Sequence, residues 1–441
     1  MASANLIVIF IAIVILALFL IIRFNVNSLF VLTGALFLFG LLSGTALQDI
    51  TTAFRSGFGS TAGYIGIVIA EGVMLAVIME RTGAMKSAAT YAAAFIPKDK
   101  RPFAICGFAL FLAFFIPPEA AFILSAPFVS HFSTRKIPST LIFVILSVSI
   151  YLGYALLPFN QSVLNSASVL NAQVWKVFII ALISITFALF CGYLWIKFVL
   201  LKEDLPDFEN LFTEEEYFTT NSVYPLEALL PPVITLLLMM LRGIALFSIK
   251  PFGTGDFFTF ALFVGDPIFA FFIGIVCSLL LVKRIHFREA LSKWLFEAMV
   301  RSSSIILFAC AGGAFGTMVK NSSLMNYIVT LISGTQLSIF VPFVIAAVVK
   351  LLTGSFAIAV VTASSVVAPS LAILNIDPVL SVAAVGSGAF MVSFINDPFF
   401  WIVSGFSGMD EKYTLKIYSL LALIMGLASF AIVAIGSIFI G

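Results

Sequence analysis

Two carboxylates in this sequence stand beside helix-breaking prolines inside otherwise apolar stretches. Glu119 follows Pro117-Pro118, and Asp397 precedes Pro398 in Ser393-Phe394-Ile395-Asn396-Asp397-Pro398. A carboxylate in such surroundings can bind a cation or carry a proton. Proline removes a backbone donor and frees the carbonyl four residues back, adding oxygen ligands to the same place. Glu119 and Asp397 are therefore candidate ion-coupling groups, and the Asn396 side chain can take substrate hydroxyls or a cation. The competing reading for Glu119 is a helix first turn, where a carboxylate complements the dipole. For Asp397 it is an ordinary Asn-Asp-Pro turn. Glu71, just before Gly72 in a small-residue helix, is a third ion-coupling candidate. Lys350 either pairs with a carboxylate or snorkels to the interface, with substrate contact a further option.

Neutral groups complete the candidate site. Gly354-Ser355 opens a small-residue stretch that runs through Thr362 to Ser365. A turn of this kind at a helix start leaves backbone N–H groups free, and an anion fits there without arginine. Tight helix packing by small residues is the alternative. In the first half, Asn160 and Gln161 form a polar break after Pro158.

The elements that position these residues follow from composition. Of 441 residues, 62% are hydrophobic and only 10% are charged, with a mean hydropathy of +1.18. A water-soluble domain is about 25% charged, so soluble enzymes and nucleic-acid binders are excluded. The apolar runs are of roughly 18–25 residues, not the ~10-residue alternating segments of a barrel. An all-α polytopic membrane protein is expected, with residues 5–22 as its first span, not a cleaved leader. Cys106, Cys191, Cys277 and Cys310 all lie in apolar runs without metal-type spacing. His131 and His286 are far apart, and no nucleotide-binding, HExxH or triad pattern is present. Neither an enzyme nor a metal or organic cofactor is expected.

Residues 202–225 carry Glu203, Asp204, Asp207, Glu209, Glu214, Glu215 and Glu216 and divide the chain into halves, 1–201 and 226–441. Each half shows two plain apolar spans, a polar or amphipathic stretch (47–56 and 284–299) and a small-residue helix. A long run broken at its centre comes next, by Pro117-Pro118-Glu119 or Thr353-Gly354-Ser355. Each half then has a helix ending in a polar break, which sets Asn160 opposite Asn396 and Gln161 opposite Asp397. Interrupted hydrophobic segments in corresponding positions point to a transporter built from repeats. The runs 103–132 and 336–374 read as re-entrant hairpins, whose irregular tips belong beside a cavity. Each repeat then has about five membrane helices plus one hairpin and a broken helix. An odd number of crossings inverts the second repeat. With both termini outside, the outer face holds only Arg55, Lys176, Lys250 and Lys320, while Arg242 and Lys350 fall inside apolar runs. The remaining basic residues are cytoplasmic, as the positive-inside rule requires, and 202–225 becomes a cytoplasmic linker.

The chain resembles the gluconate permease family of gluconate:proton symporters, within a wider superfamily of organic-anion carriers. Val385-Gly386-Ser387-Gly388, followed by Ser393-Phe394-Ile395-Asn396-Asp397-Pro398-Phe399-Phe400-Trp401, is similar to that family's Val-Gly-Ser-Gly and Asn-Asp…Phe-Trp signature. Gly265-Asp266-Pro267, Gly313-Ala314-Phe315, Thr414-Leu415-Lys416, and Glu119 with Phe122 and Pro127 also fit. Two histidines that relatives carry in the first-half break are absent from Leu152–Gln161, and Phe394 stands at a third histidine position. The resemblance implies a homodimeric elevator transporter of the prokaryotic cytoplasmic membrane, importing a small hydroxylated organic anion (a sugar acid or related hydroxy or amino acid). Protons are the implied coupling ion, with Na⁺ the alternative. It adds Gly388 and Ser393 to the substrate-binding candidates Asn160, Gln161, Gly354, Ser355, Thr362 and Asn396. A cation/proton antiporter without organic substrate, or a channel-like or receptor-type protein, are the other classes that the carboxylates and spans allow.

Overall fold

The computed structural model describes residues 2–133, 137–202, 208, 211, 223–247, 251–333, 338–371 and 376–440. The acidic residues of the expected linker, and Lys250, lie outside the described residues.

The first half runs α1 Ala2–Phe24, α2 Ser28–Leu42, α3 Leu47–Arg81, α4 Ala84–Ala94, α5 Arg101–Ala113, α6 Pro118–Val129, α7 Ser139–Leu156, α8 Gln161–Val169 and α9 Val174–Phe198. The second half runs α10 Pro225–Ala245, α11 Asp256–Val264, α12 Pro267–Leu279, α13 Arg284–Asn321, α14 Ser323–Ser333, α15 Phe340–Thr353, α16 Phe356–Val367, α17 Pro378–Met391, α18 Pro398–Ser407 and α19 Glu411–Phe439. The order of elements corresponds. A long helix with one π-turn (Ala62–Gly66 in α3, Ala290–Trp294 in α13) precedes an 11-residue helix in each half. A broken pair, a helix with a polar break and a long last helix follow.

Seven helices are long and apolar enough to cross a bilayer among the described residues, or eight if the bent pair α11–α12 counts as one span. This is fewer than the plain spans expected, for local reasons. Helix α2 has 15 residues and α17 has 14, about 22 Å at 1.5 Å per residue, short of a ~30 Å hydrocarbon core. Positive-φ Gly44 follows α2, and α17 ends early at Met391, ahead of the break before Pro398. The apolar run 259–282, the second of the two plain spans expected in the second half, is bent by 63° between Val264 and Pro267. Pro267 has no N–H to continue the helix, and Asp266 Oδ1 caps α12 by accepting from the Ile268 N–H at 3.1 Å. Conversely, the amphipathic stretches 47–56 and 284–299 join the spans that follow them in α3 and α13, because no proline separates them and a π-turn absorbs the change of face.

The helices pack in two groups. Helices α1, α2, α3, α10, α12 and α13 pack among themselves, with α3 against α13 at their centre. Helices α5 to α9 and α15 to α19 form the other group, in which α15 packs on α16 and α17, and α9 on α19. The groups meet where α6 lies on α3 and where α15 and α18 lie on α13. The breaks at Pro117, Gly354 and Asp397 all fall at this junction.

Candidate functional site

A cavity of about 410 Å³ opens at the junction. Its walls come from the π-turn region of α3 (Ser60, Thr61, Tyr64), the tip of the α5–α6 pair (Pro117, Pro118, Glu119) and the end of α7 (Tyr151, Tyr154). Gly313, Gly316 and Thr317 of α13 close another side. The α15–α16 turn (Thr353, Gly354, Ser355) and the start of α18 (Asp397, Pro398) complete it, with Lys350 between them. Broken backbone supplies three of these walls, each with a helix starting at the cavity.

Each helix start has a local cause. Gly354 takes a left-handed conformation, φ +67°, which glycine adopts without strain. It ends α15, and its N–H donates to the Lys350 carbonyl at 2.8 Å. Ser355 then caps α16, its Oγ accepting from the Ile358 N–H at 3.4 Å. Asp397 Oδ1 caps α18 by accepting from the Phe399 N–H at 3.0 Å. Glu119 occupies the first turn of α6.

One buried cation binds these parts together. Lys350 is 1% exposed. Its Nζ donates to Asp397 Oδ2 at 2.7 Å and to the Gly354 carbonyl at 2.7 Å. The Tyr151 ring faces the ammonium, 5.3 Å from centroid to Nζ. Ser393 Oγ also donates to Asp397 Oδ2, at 3.0 Å. Asp397 is thus fully engaged by a cation, a hydroxyl and a backbone N–H. Glu119, by contrast, has no ion-pair partner among the described residues. The cavity therefore combines a neutralised ion pair, one unpaired carboxylate and several hydroxyls.

Residues 4–439 match the family described as GntP family permease. The chain belongs to this family of permeases. Among its relatives, the high-affinity gluconate transporter of Escherichia coli is 28% identical over 423 residues, 93% of this chain and 94% of the relative. The Gnt-II system L-idonate transporter of the same species is 28% identical over 427 residues, covering 93% and 95%. An Escherichia coli D-serine transporter is 28% identical over 416 residues, covering 90% and 91%.

In this GntP-family permease the sequence candidates separate into three sets. Glu119, Gly354, Ser355 and Asp397 line the central cavity. Asn160 and Gln161 line a smaller chamber next to it. There Asn160 caps α8 by accepting from the Val163 N–H at 3.0 Å and donates to the Tyr154 carbonyl. Glu71, Thr362, Gly388, Ser393 and Asn396 do not line the central cavity. Glu71 has one buried carboxylate oxygen without a partner among the described residues. Thr362 sits further along α16, half-buried. Gly388 is where α17 crosses α15, since a Cβ there would run into the Phe343 carbonyl. Asn396 is buried, and its Nδ2 donates to the Leu351 carbonyl at 2.8 Å, tying the α17–α18 break to the end of α15. Asn160 and Asp397 each occupy the N-cap position of the helix that follows their break.

Sequence reasoning missed the hydroxyl lining: Ser60, Thr61, Tyr64, Tyr151, Tyr154 and Thr317. Tyr151 and Tyr154 did carry a signal, being three residues apart on one helix face just before the Pro158 break. Ser60, Thr61 and Thr317 carried none, because their place depends on how α3 meets α13.

Proposed function

We propose that this permease is a proton-coupled symporter importing a small hydroxylated organic anion. The observation that carries the reading is the central cavity, where hydroxyls surround a neutralised Lys350–Asp397 pair and an unpaired Glu119. Its volume of about 410 Å³ falls among small-molecule sites of about 300–1,000 Å³. The names of the relatives support the ligand class, since gluconate and L-idonate each combine a carboxylate with several hydroxyls, and D-serine joins a carboxylate to one hydroxyl and an ammonium group. Ser60, Thr61, Tyr64, Tyr154 and Thr317 are placed to bond hydroxyls. Residues 355–358 at the start of α16 line the same space, and the positive end of a helix favours a carboxylate.

Charge supports the coupling. Lys350 and Asp397 cancel, so an ionised Glu119 leaves one uncompensated negative charge. In a poorly solvated cavity a second anion beside it is strongly disfavoured. A proton on Glu119 removes that repulsion, so substrate and proton bind together and leave together. Asp397 is the weaker coupling candidate, because both its oxygens are engaged. A sodium-coupled version is favoured by one observation: Asn396 Oδ1 is buried without a partner among the described residues.

The corresponding element order of the two halves supports inverted repeats, the distribution of basic residues supports both termini outside, and the bacterial relatives support a prokaryotic cytoplasmic membrane. The division into two helix groups supports an elevator, with α5 to α9 and α15 to α19 as the moving body. Helices α1 to α3 and α10 to α13 would form the fixed, dimeric scaffold. Uptake into proteoliposomes of gluconate, L-idonate, D-serine, glycerate and citrate, under a pH gradient and then a sodium gradient, tests the reading. Accumulation of one hydroxy acid that a protonophore abolishes is expected. Cation flux with no organic uptake would replace it with an antiporter.

A further inference from the structure

In the central cavity the Lys350 ammonium is buried and spent on Asp397 and the Gly354 carbonyl, so it presents no free donor edge to an anion. The nearest alternative lies behind its wall. A second chamber of about 120 Å³ shares Tyr64, Pro117 and Tyr154 with the central cavity, and is also lined by Asn160, Gln161 and Arg242. Arg242 stands in the last turn of α10, near the end of a helix long and apolar enough to cross a membrane, with its side chain about one-third exposed.

The setting of Arg242 leaves it usable. Its Nη1 donates to Asp266 Oδ2 and to the Leu262 carbonyl, the latter at 3.4 Å. Asp266 in turn caps α12 through its other oxygen. The bend between α11 and α12 thus holds the guanidinium in place through one nitrogen. Nη2 and Nε carry no hydrogen bond among the described residues and are not among the sealed, unpartnered atoms. A guanidinium edge presented this way matches a carboxylate in two-point fashion. Gln161, exposed at the start of α8, adds an amide, its Nε2 bonded to Asn165 Oδ1 at 2.8 Å. Asn160 is already committed to its cap and to Tyr154.

We infer that Arg242, supported by Gln161, forms a carboxylate subsite that receives the anionic end of the substrate before it passes Tyr64 and Tyr154 into the central cavity. The chamber is far smaller than a complete small-molecule site of about 300–1,000 Å³, so it takes one end of an elongated molecule. The ligand class is a small carboxylate. That this carboxylate belongs to the transported substrate rests on the symporter reading; the anion-binding chemistry of the chamber does not.

The test uses charged thiol reagents on the purified full chain in detergent. Gln161→Cys is made with the four native cysteines replaced by Ala, and a Ser365→Cys control is made in the same background. Each is reacted with a thiosulfonate carrying a sulfonate group and one carrying a trimethylammonium group. Relative to the control, the anionic reagent should react about tenfold faster at position 161. Acetate and gluconate should slow it. The preference should disappear in Arg242→Gln/Asp266→Asn, which removes both charges together, and persist in Arg242→Lys. Equal rates for the two reagents at position 161 with Arg242 intact overturn the subsite without any variant of Arg242. A retained preference with no organic uptake in proteoliposomes keeps the subsite and removes the symporter reading.

Discussion

The ammonium of Lys350 lies 2.7 Å from the Asp397 carboxylate and 2.7 Å from the Gly354 carbonyl. One buried cation thereby joins the end of α15, the turn into α16 and the cap of α18. The pair is an assembly element of the cavity, which makes its single and double variants diagnostic. Removing one partner of a buried pair leaves a stranded charge and costs about 3–5 kcal/mol. Asp397→Asn keeps a side chain able to cap α18 but strands Lys350. Both Asp397→Asn and Lys350→Met should sharply reduce the yield of monodisperse protein and its thermal melting point. Lys350→Met/Asp397→Asn should recover a substantial part of both. A single variant as stable as the parent would contradict this role.

Gly354 is held at φ +67°, and a Cβ there would run into the Asn396 carbonyl. For a non-glycine residue the conformation alone costs about 1–2 kcal/mol. Gly354→Ala should reach the membrane but move the start of α16, lowering initial uptake rates at least about fivefold, the effect of ~1 kcal/mol. Unchanged uptake would mean that the turn geometry is not part of the site.

Tyr154 lines both chambers, and its ring packs on Phe356 at 5.4 Å between centroids. Tyr154→Phe keeps that packing and deletes one hydroxyl. Loss of one hydrogen bond to a polyhydroxylated ligand is worth about 0.5–1.5 kcal/mol. The half-saturation concentration for gluconate-like substrates should rise about two- to tenfold, with maximal rate little changed. A fall in maximal rate alone would place Tyr154 in the motion and not in binding.

At the far end of α3, Arg301 Nη1 donates to Glu80 Oε2 at 3.0 Å and to the Leu211 carbonyl at 3.2 Å. Arg81 meets Glu297 at 3.0 Å. This cluster joins the two long helices α3 and α13 and anchors one residue of the linker. Glu80 is 7% exposed, so Arg301→Met should cost about 1–3 kcal/mol through the stranded carboxylate. Arg301→Met/Glu80→Gln should recover part of it in a melting experiment. Additive losses would show that the two residues act independently.

Composition and periodicity made the membrane class legible, and proline and glycine marked the backbone breaks at Pro117, Gly354 and Asp397. Local chemistry decides such features, so one sequence shows them. What stayed hidden depends on contacts between distant segments. The partner of Lys350 was one of several carboxylates until α15 met α18. Arg242 looked like an isolated charge until the α11–α12 bend brought Asp266 to it, and that span had read as unbroken. Asn160 read as a ligand for substrate hydroxyls, and so did Asn396. Its amide is taken by the Leu351 carbonyl, a contact that no spacing rule foreshadows.

Glu119 is the group on which the account turns. Proteoliposomes loaded with a pH-sensitive dye should acidify inside when an accepted hydroxy acid is added outside, in step with its labelled uptake. Glu119→Gln should abolish both the acidification and accumulation against a gradient, while still exchanging internal for external substrate. Proton movement and accumulation that survive in Glu119→Gln would contradict the account.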